Sequence, residues 1–171
     1  MARRDKEFEE FEKDMKELQK WEKICKLLGE ARRLHNITYE SEKAIPLCDE
    51  ILRLDKDNRN ALLIKAGALH KINKEKEAYD LLIYIINKWP DHWEAYYLLG
   101  ITFFNTNEKK AAEFFEKSLE LKETFDNLTF YAQLLYFLRD SKYKRLLMKA
   151  QKLDPIRFKR FMKEYWEWEI C

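Results

Sequence analysis

The chain has 171 residues, of which 46% are apolar and 37% charged, with only 3 glycines, 3 prolines and a net charge of +2. This composition is typical of long amphipathic helices with solvated outer faces. The sequence has no run of about 18 uncharged apolar residues that could span a membrane, and its start leads into an acidic helix rather than an apolar signal core. We therefore expect an all-α, soluble, cytoplasmic protein.

The first predicted element is a helix of about 30 residues. Apolar residues recur three and four apart from Phe8 to Leu28, with no turn signal before His35. We place an N-terminal helical extension at residues 1–24, whose apolar stripe is suited to packing back on the protein or to pairing with another copy. This N-terminal seam consists of Phe8, Phe11, Met15 and Leu18.

Polar turns divide the rest of the chain into helices, and no window alternates with the period of two that a strand requires. The predicted turns lie near residues 36–38, 56–58, 73–74, 90–91, 106–107, 124–126 and 139–141. Asp57, Asp91 and Asp126 precede the helices that open the repeats, where a carboxylate can accept hydrogen bonds from free backbone N–H groups. Pro46 should kink the second helix unless that helix begins late enough to hold it in its first turn.

A period of 33 residues runs through the middle of the chain, where Gly67 returns as Gly100 and Ala78 as Ala111. Such a period indicates stacked helical hairpins rather than one closed globule, and it favours binding over catalysis. The small residues at these positions let two helix backbones cross closely.

The motif Tyr96-x-x-Leu99-Gly100-x-x-Phe103, followed by Ala111-x-x-x-Phe115-x-x-Ser118, resembles the tetratricopeptide repeat (TPR), a helical hairpin of about 34 residues. The resemblance covers roughly residues 25–155 and implies a right-handed superhelical solenoid of three to four hairpins. The hairpins are assigned to residues 25–58, 59–91, 92–124 and 125–155, and residues 156–171 to an aromatic, basic capping helix.

In TPR proteins the first helix of each hairpin lines a concave groove, and the resemblance implies which residues do so here. They are mostly apolar and aromatic, which favours an amphipathic helix or extended peptide as the ligand, with a terminal helix of the chain itself as the alternative. The predicted groove residues are Ile64, Ala68, Lys71, Tyr97, Ile101, Phe104, Asn105, Phe130, Leu134 and Phe137. The Lys, Asn and Arg clamp with which a TPR subtype grips acidic chaperone tails is absent, since Ile64, Ala68, Glu94 and Leu98 stand at its positions.

The C-terminal part carries most of the charge asymmetry. Residues 142–163 have a net charge of +8, which leaves −6 on the rest of the chain. Such a cluster attracts an anionic partner, which could be nucleic acid, an acidic protein surface or the chain's own acidic N-terminal helix. The spacing of Phe158 and Phe161 favours the buried side of a capping helix over base stacking. The basic cluster consists of Lys142, Lys144, Arg145, Lys149, Lys152, Arg157, Lys159, Arg160 and Lys163.

The sequence contains no recognisable catalytic constellation, metal site or cofactor motif. Cys25 and Cys48 fall on apolar helix positions, where buried, reduced thiols are expected, and Cys171 is terminal. His35 and His70 occupy the aromatic position of their repeats, which indicates packing rather than metal binding. We therefore predict a non-enzymatic protein without a cofactor.

Three functions remain open at this point. The first is an adaptor or scaffold that binds a hydrophobic helix or peptide of another protein in the concave groove. The second is a nucleic-acid or ribonucleoprotein-associated module that acts through the basic cluster. The third is a homodimeric structural scaffold joined by the N-terminal seam.

Overall fold

The computed structural model describes residues 2–36 and 40–165, with side chains from residue 9 onward, and every regular element within these ranges is a helix. The helices are α1 (Ala2–Asn36), α2 (Ser41–Leu54), α3 (Arg59–Lys71), α4 (Glu75–Lys88), α5 (Trp93–Phe103), α6 (Glu108–Leu121), α7 (Phe125–Phe137), α8 (Tyr143–Leu153) and α9 (Pro155–Tyr165). None of these helices is long and apolar enough to cross a bilayer. The all-α prediction is confirmed.

The chain forms two compact units, unit 1 at residues 1–81 and unit 2 at residues 82–171, with the boundary inside α4. In unit 1, α1, α2 and α3 pack on one another. Their shared core consists of Ile24, Ala31, Leu34, Ala44, Cys48, Ile51, Ala61 and Ile64. Residues 9–19 of α1 are all exposed, so only the second half of this helix is covered by the described chain.

In unit 2, α5 packs on α6, α6 on α7, α7 on α8, and α8 on α9. One apolar cluster joins Ala111 and Phe115 of α6 to Tyr131, Leu134 and Leu135 of α7. A second cluster joins α7, α8 and α9 through Phe125, Leu128, Ala132, Leu147, Ala150 and Phe161. The rings of Phe125 and Phe161 meet edge to face at 6.1 Å, so α9 packs as the predicted capping helix with Phe161 on its buried side. The predicted aromatic tail beyond Tyr165 lies outside the described residues.

Gly100 marks the close crossing of α5 and α6. A Cβ atom added there would lie 2.7 Å from Cδ1 of Phe115, whose side chain is fully buried. Any side chain at this position would therefore displace Phe115, which confirms the steric role that the repeat pattern predicts for Gly100.

Asn127 of α7 organises a buried polar network in unit 2. Its Nδ2 donates to Oγ of Ser118 at 3.1 Å and to the carbonyl of Lys122 at 2.7 Å. The hydroxyl of Ser118 in turn donates to the carbonyl of Trp93 at 3.0 Å. The network thus connects the beginnings of α5 and α7 to the end of α6, and it keeps the buried amide of Asn127 satisfied.

The predicted aspartate caps are wrong. The cap of α3 is Asn58, whose Oδ1 accepts from the N–H of Ala61 at 3.1 Å, and the cap of α7 is Thr124, which forms a capping box with Asn127. Asp126 already lies inside α7, and at the start of α5 His92 is the cap residue but makes no side-chain cap bond. In α3 and α7 the helix is capped by the acceptor directly before its first residue, as cap geometry requires.

Pro46 is tolerated within α2. The helix begins at Ser41 and continues to Leu54, so Pro46 lies in the second turn rather than the first. The side chain of Pro46 is exposed, and its ring therefore displaces no core residue.

The cysteine prediction holds for one residue of the two that the structure describes. Cys48 is buried in the core of unit 1, and this burial raises the pKa of its thiol to about 12. The prediction is wrong for Cys25, which is exposed because its face of α1 has no helix packed against it in the described chain. Helical spacing alone does not reveal which side of α1 the other helices cover.

Candidate partner-binding surface

Residues of α5 and α7 form an aromatic face in unit 2. The ring of Tyr97 meets that of Phe130 at 5.6 Å, and the ring of Phe104, the residue that caps α5, meets that of Phe137 at 6.1 Å, both edge to face. Ile101 lies between these two pairs along the chain and is half-buried. We use the name aromatic face for these five residues, all of which belong to the predicted groove set.

Part of the aromatic face packs against Phe115 of α6 and is covered by it. Phe115 lies 6.2 Å from the ring of Tyr97 and 6.5 Å from that of Phe104. Burial among these rings raises the pKa of the Tyr97 phenol above its usual range, with a smaller contribution from Asp126. Leu134, also assigned to the groove from the sequence, is buried in the core and not accessible to a partner.

The other end of the aromatic face is open. Phe137 is 69% exposed, and Leu138 beside it is also exposed. Phe137 is nevertheless held in place, because its ring contacts those of Phe104 and Tyr136. Asn105, the remaining predicted groove residue of this unit, is exposed as well. The face therefore presents a positioned aromatic ring to solvent.

A cavity of about 520 Å³ adjoins Phe137 at the turn between α7 and α8. We call it the turn cavity, and it is lined by Tyr136, Phe137, Arg139, Ser141, Tyr143 and Lys144. The lining combines three aromatic rings with two cations and contains no carboxylate. A ligand with an apolar anchor next to a negative charge would complement it.

Arg139 reaches the turn cavity through an unusual backbone conformation. It follows the last residues of α7 with a φ of 57°, in the left-handed region. The N–H of Asp140 donates to the carbonyl of Leu135 at 2.8 Å, and that of Arg139 to the carbonyl of Tyr136 at 2.9 Å, which together define a Schellman motif. Glycine or asparagine is the usual residue at this position, so an arginine costs on the order of 1 kcal/mol.

Unit 1 differs at the corresponding groove positions. Ile64 and Ala68 are buried, and Ile64 belongs to the core of the unit. Nζ of Lys71 donates to the carbonyl of His35 at 2.8 Å, and partial burial lowers the pKa of this ammonium group. These three residues therefore present no apolar surface of unit 1 to a ligand.

The residues of the basic cluster fall into two groups, those in an ion pair and those without one. Lys149 pairs with Glu123, Arg157 with Asp126 at 2.7 Å, and Lys142 with Asp140 at 3.8 Å. The guanidinium of Arg157 also lies 4.4 Å from the ring centre of Phe125, so this residue helps to hold α9 on α7. Among the described residues the others make no ion pair: Lys144, Arg145, Lys152, Lys159, Arg160 and Lys163.

The N-terminal seam is exposed on α1. Phe11 is 61% exposed, and Met15 and Leu18 are exposed as well, whereas the side chain of Phe8 lies outside the described residues. No described helix packs against this part of α1, so the seam is free to contact a partner.

Sequence reasoning missed most of the turn cavity. The sequence predicts the turn at residues 139–141 and assigns Phe137 and Lys144 to other sites, but it assigns Arg139, Tyr136 and Tyr143 to no site. A signal was present in the sequence, since an arginine occupies a helix end where glycine or asparagine would be unstrained. Within the described residues, no three histidine, cysteine or acidic side chains are grouped to hold a metal ion.

No protein-family model and no curated protein matches the chain. Solved structures do match, and one is a thermophilic TPR protein of Thermus thermophilus, with a TM-score of 0.70 and 13% identity over 77% of this chain and 75% of that one. The chain has a TPR fold. Similar TPR-like folds are found in MamA 41-end from Desulfovibrio magneticus RS-1, with a TM-score of 0.60 and 23% identity over 75% of this chain and 74% of that one. Another MamA crystal structure has a TM-score of 0.61 and 22% identity over 80% of this chain and 81% of that one.

Proposed function

We propose that this TPR-fold chain is a non-enzymatic interaction scaffold whose aromatic face binds an apolar helix or peptide of another protein. The observation that carries the proposal is Phe137, which is mostly exposed yet fixed by edge-to-face contact with Phe104. Phe137 and Leu138 expose apolar surface side by side, and a ring that is already fixed loses little entropy on binding. These are properties of an anchor residue in a protein interface.

The turn cavity indicates the charge of the ligand. Arg139 and Lys144 line it without a carboxylate, directly beside Phe137. A peptide whose apolar anchor is followed by aspartate or glutamate would place its charge between these cations. The left-handed conformation of Arg139 supports this assignment, because a strained residue is kept where its side chain has a use.

A catalytic alternative has one structural starting point, which the geometry disfavours. Nδ1 of His35 lies 3.2 Å from Oγ of Ser41, the distance expected of a base and a nucleophile. Ser41 is buried, however, so no substrate carbonyl could approach its hydroxyl. We interpret the pair as a packing hydrogen bond in unit 1.

A labelled peptide probe tests the proposal. The probe is an amphipathic peptide with Leu and Trp on one face and Glu beside them, and its partner probe carries Lys in place of Glu. We expect fluorescence anisotropy to show binding of the Glu peptide and weaker binding of the Lys peptide. Phe137→Ser should weaken the Glu peptide at least about tenfold, as at an interface hot spot.

The control is Leu121→Ser, which changes an exposed apolar residue of α6 that belongs to neither the aromatic face nor the turn cavity. Its affinity for the Glu peptide should equal that of the unchanged chain. Equal binding of the two peptides, or full binding by Phe137→Ser, would contradict the proposal. A fall in melting temperature for Phe137→Ser would instead indicate that the chain covers this face itself.

A further inference from the structure

The unpaired cations of the basic cluster surround exposed aliphatic side chains. On α8, Met148 is 60% exposed, and Lys144 and Lys152 lie four residues to either side on the same helix face. On α9, Ile156 is 85% exposed and shares its face with Lys159 and Arg160. We use the name basic face for these exposed sides of α8 and α9 together, with Met148 and Ile156 as the apolar residues and the six unpaired cations around them.

The first half of α1 has the opposite chemistry. Carboxylates lie along one flank of the N-terminal seam at helical spacing, and we call Glu10, Asp14 and Glu17 the acidic row. All three are exposed. Lys13 lies on the far side of the helix from the seam, and Glu17 pairs with Lys20 at 3.5 Å, so Glu10 and Asp14 supply most of the negative charge that borders the apolar stripe on this flank.

We infer that the chain associates with itself head to tail, with the N-terminal seam and acidic row of one copy docked on the basic face of the next. The two surfaces complement each other in charge, and each has exposed apolar side chains to bury. The six cations make no ion pair with the described part of their own chain. Arg145 shares a cavity with Glu116, Glu120 and Glu123, so the other five are the cations most available to carboxylates of another copy.

The same charges disfavour a symmetric pair of α1 helices. In an antiparallel pair the acidic row of one copy would face the acidic row of the other. In a parallel pair it would approach the second flank of the stripe, where Glu12 and Gln19 lie. Both arrangements bring like or uncompensated charges together, whereas the basic face offers opposite ones.

The apolar residues of the basic face also favour a protein over nucleic acid. Single-stranded nucleic acid is bound by cations together with exposed aromatic rings on which bases stack. The residues here are Met148 and Ile156, while Phe161 of the same segment is buried in the core. Aliphatic side chains complement the seam of α1 rather than a base.

A contact of this type is heterologous, because the two copies contribute different surfaces to it. After two copies have joined, the basic face of one and the α1 helix of the other are still unoccupied, so a third copy can add. We therefore expect an open series of oligomers whose mean mass rises with concentration. Because the contact joins exposed charges, the series should shorten as salt is added.

Sedimentation equilibrium of the full chain and two variants tests this inference. The row variant carries Glu10→Gln, Asp14→Gln, Glu17→Gln and Leu18→Gln. The face variant carries Met148→Gln, Lys152→Gln, Lys159→Gln and Arg160→Gln. All eight side chains are exposed, and glutamine is a good helix former, so both variants should keep the melting temperature of the unchanged chain.

We expect each variant alone to be monomeric at concentrations where the unchanged chain forms oligomers. An equimolar mixture of the two should give a dimer and nothing larger, because only the intact α1 of one and the intact basic face of the other can meet. The control, Lys13→Gln on the side of α1 opposite the seam, should associate like the unchanged chain.

Several results would overturn the inference. One is that the unchanged chain is monomeric. A second is that it forms a closed dimer, which the row variant loses and the face variant keeps. A third is that the equimolar mixture of the two variants does not associate. Binding of a labelled polyuridine probe to the basic face without self-association would assign this surface to nucleic acid instead. Phe137→Ser, which lies outside both docking surfaces, should leave self-association unchanged while it weakens the Glu peptide, so failure here and failure of the proposed function are distinguishable.

Discussion

One repeat position is filled differently in the two units. It holds His35 and His70 in unit 1, and Phe103 and Tyr136 in unit 2. All four side chains are partly buried at the ends of the first helices of their hairpins. In this chain the position therefore holds a flat ring in all four hairpins, whatever the polarity of that ring. The choice of residue instead determines how the stability of each unit responds to pH.

The two histidines make unit 1 the acid-sensitive unit. Burial, together with the nearby charge of Lys71, lowers the pKa of His35 to about 4. Burial also lowers the pKa of His70, whose Nδ1 has no hydrogen-bond partner within the described structure. In unit 2 the corresponding rings carry no group that titrates in this range.

The tight helix crossing at Gly100 also distinguishes unit 2 from unit 1. Gly100→Ala should destabilise unit 2 by about 1–3 kcal/mol, because the new Cβ would overlap the fully buried ring of Phe115. Gly29→Ala in unit 1 is the matched control, since a Cβ there meets nothing within 4 Å. It should be neutral or stabilising by about 0.5–1 kcal/mol. Urea unfolding followed by circular dichroism measures both, and equal effects would show that the helix crossing in unit 2 is not tight.

The second prediction concerns pH, because acid should destabilise unit 1 more than unit 2. As pH falls below about 6.5, the unfolded chain binds more protons at His35 and His70 than the folded chain does, so the free energy of unfolding decreases. The decrease should continue until His35 itself protonates at about pH 4. Allowing for the partial exposure of this ring, we expect a loss of about 1–2 kcal/mol from His35.

Hydrogen exchange across this pH range checks the pH prediction. Protection should fall in α1 to α3 before it falls in α5 to α9. His35→Phe combined with Ser41→Ala removes the titrating ring together with its hydrogen-bond partner and should weaken the pH dependence. A parallel loss of protection in both units would contradict this account.

A smaller effect concerns the turns that follow α3 and α7. Both turns form the same Schellman motif, with Asn73 at a φ of 61° and Arg139 at a φ of 57°. Arg139→Gly should stabilise unit 2 by about 1 kcal/mol, because glycine adopts this conformation without steric cost. Asn73→Gly should change unit 1 by only a few tenths of a kcal/mol, since asparagine tolerates the conformation. Thermal unfolding measures both changes. Weaker binding of the Glu peptide by Arg139→Gly would show that the strained conformation of Arg139 serves ligand binding.

The smallest expected effect on stability is that of Phe137→Ser. Because this ring is mostly exposed, the free energy of unfolding should change by less than about 0.5 kcal/mol. The buried groove position Leu134 gives the contrast, since Leu134→Ala should cost about 2–5 kcal/mol. Comparable losses for the two variants would mean that Phe137 is part of the core.

Most of the fold could be predicted from the sequence because it depends on local patterns. The 33-residue period and the polar turns gave the hairpins, and Gly100 gave the close crossing of α5 and α6. The caps could not be assigned in the same way, because Asp57 and Asn58 are adjacent and both can accept a hydrogen bond. Only the backbone conformation decides which of them directly precedes the helix.

The candidate surface was less predictable because burial depends on what packs opposite a residue. Ile64 and Leu134 occupy groove positions by repeat register, yet neighbouring side chains cover them, whereas Phe137 at the last groove position of its hairpin is open. Cys25 shows the reverse error, since its apolar spacing suggested burial on a helix face that has no described neighbour. Register places a side chain on a face, and the tertiary contacts decide whether that face is accessible.

The length of α1 makes the proposed head-to-tail association depend on temperature. The helix has 35 residues, and its first half lies on no other described element. A solitary stretch of this size is only marginally helical in water and unwinds progressively on warming. A neighbour that binds this stretch must also keep it wound, so heat should dissolve the assembly well before it melts either core.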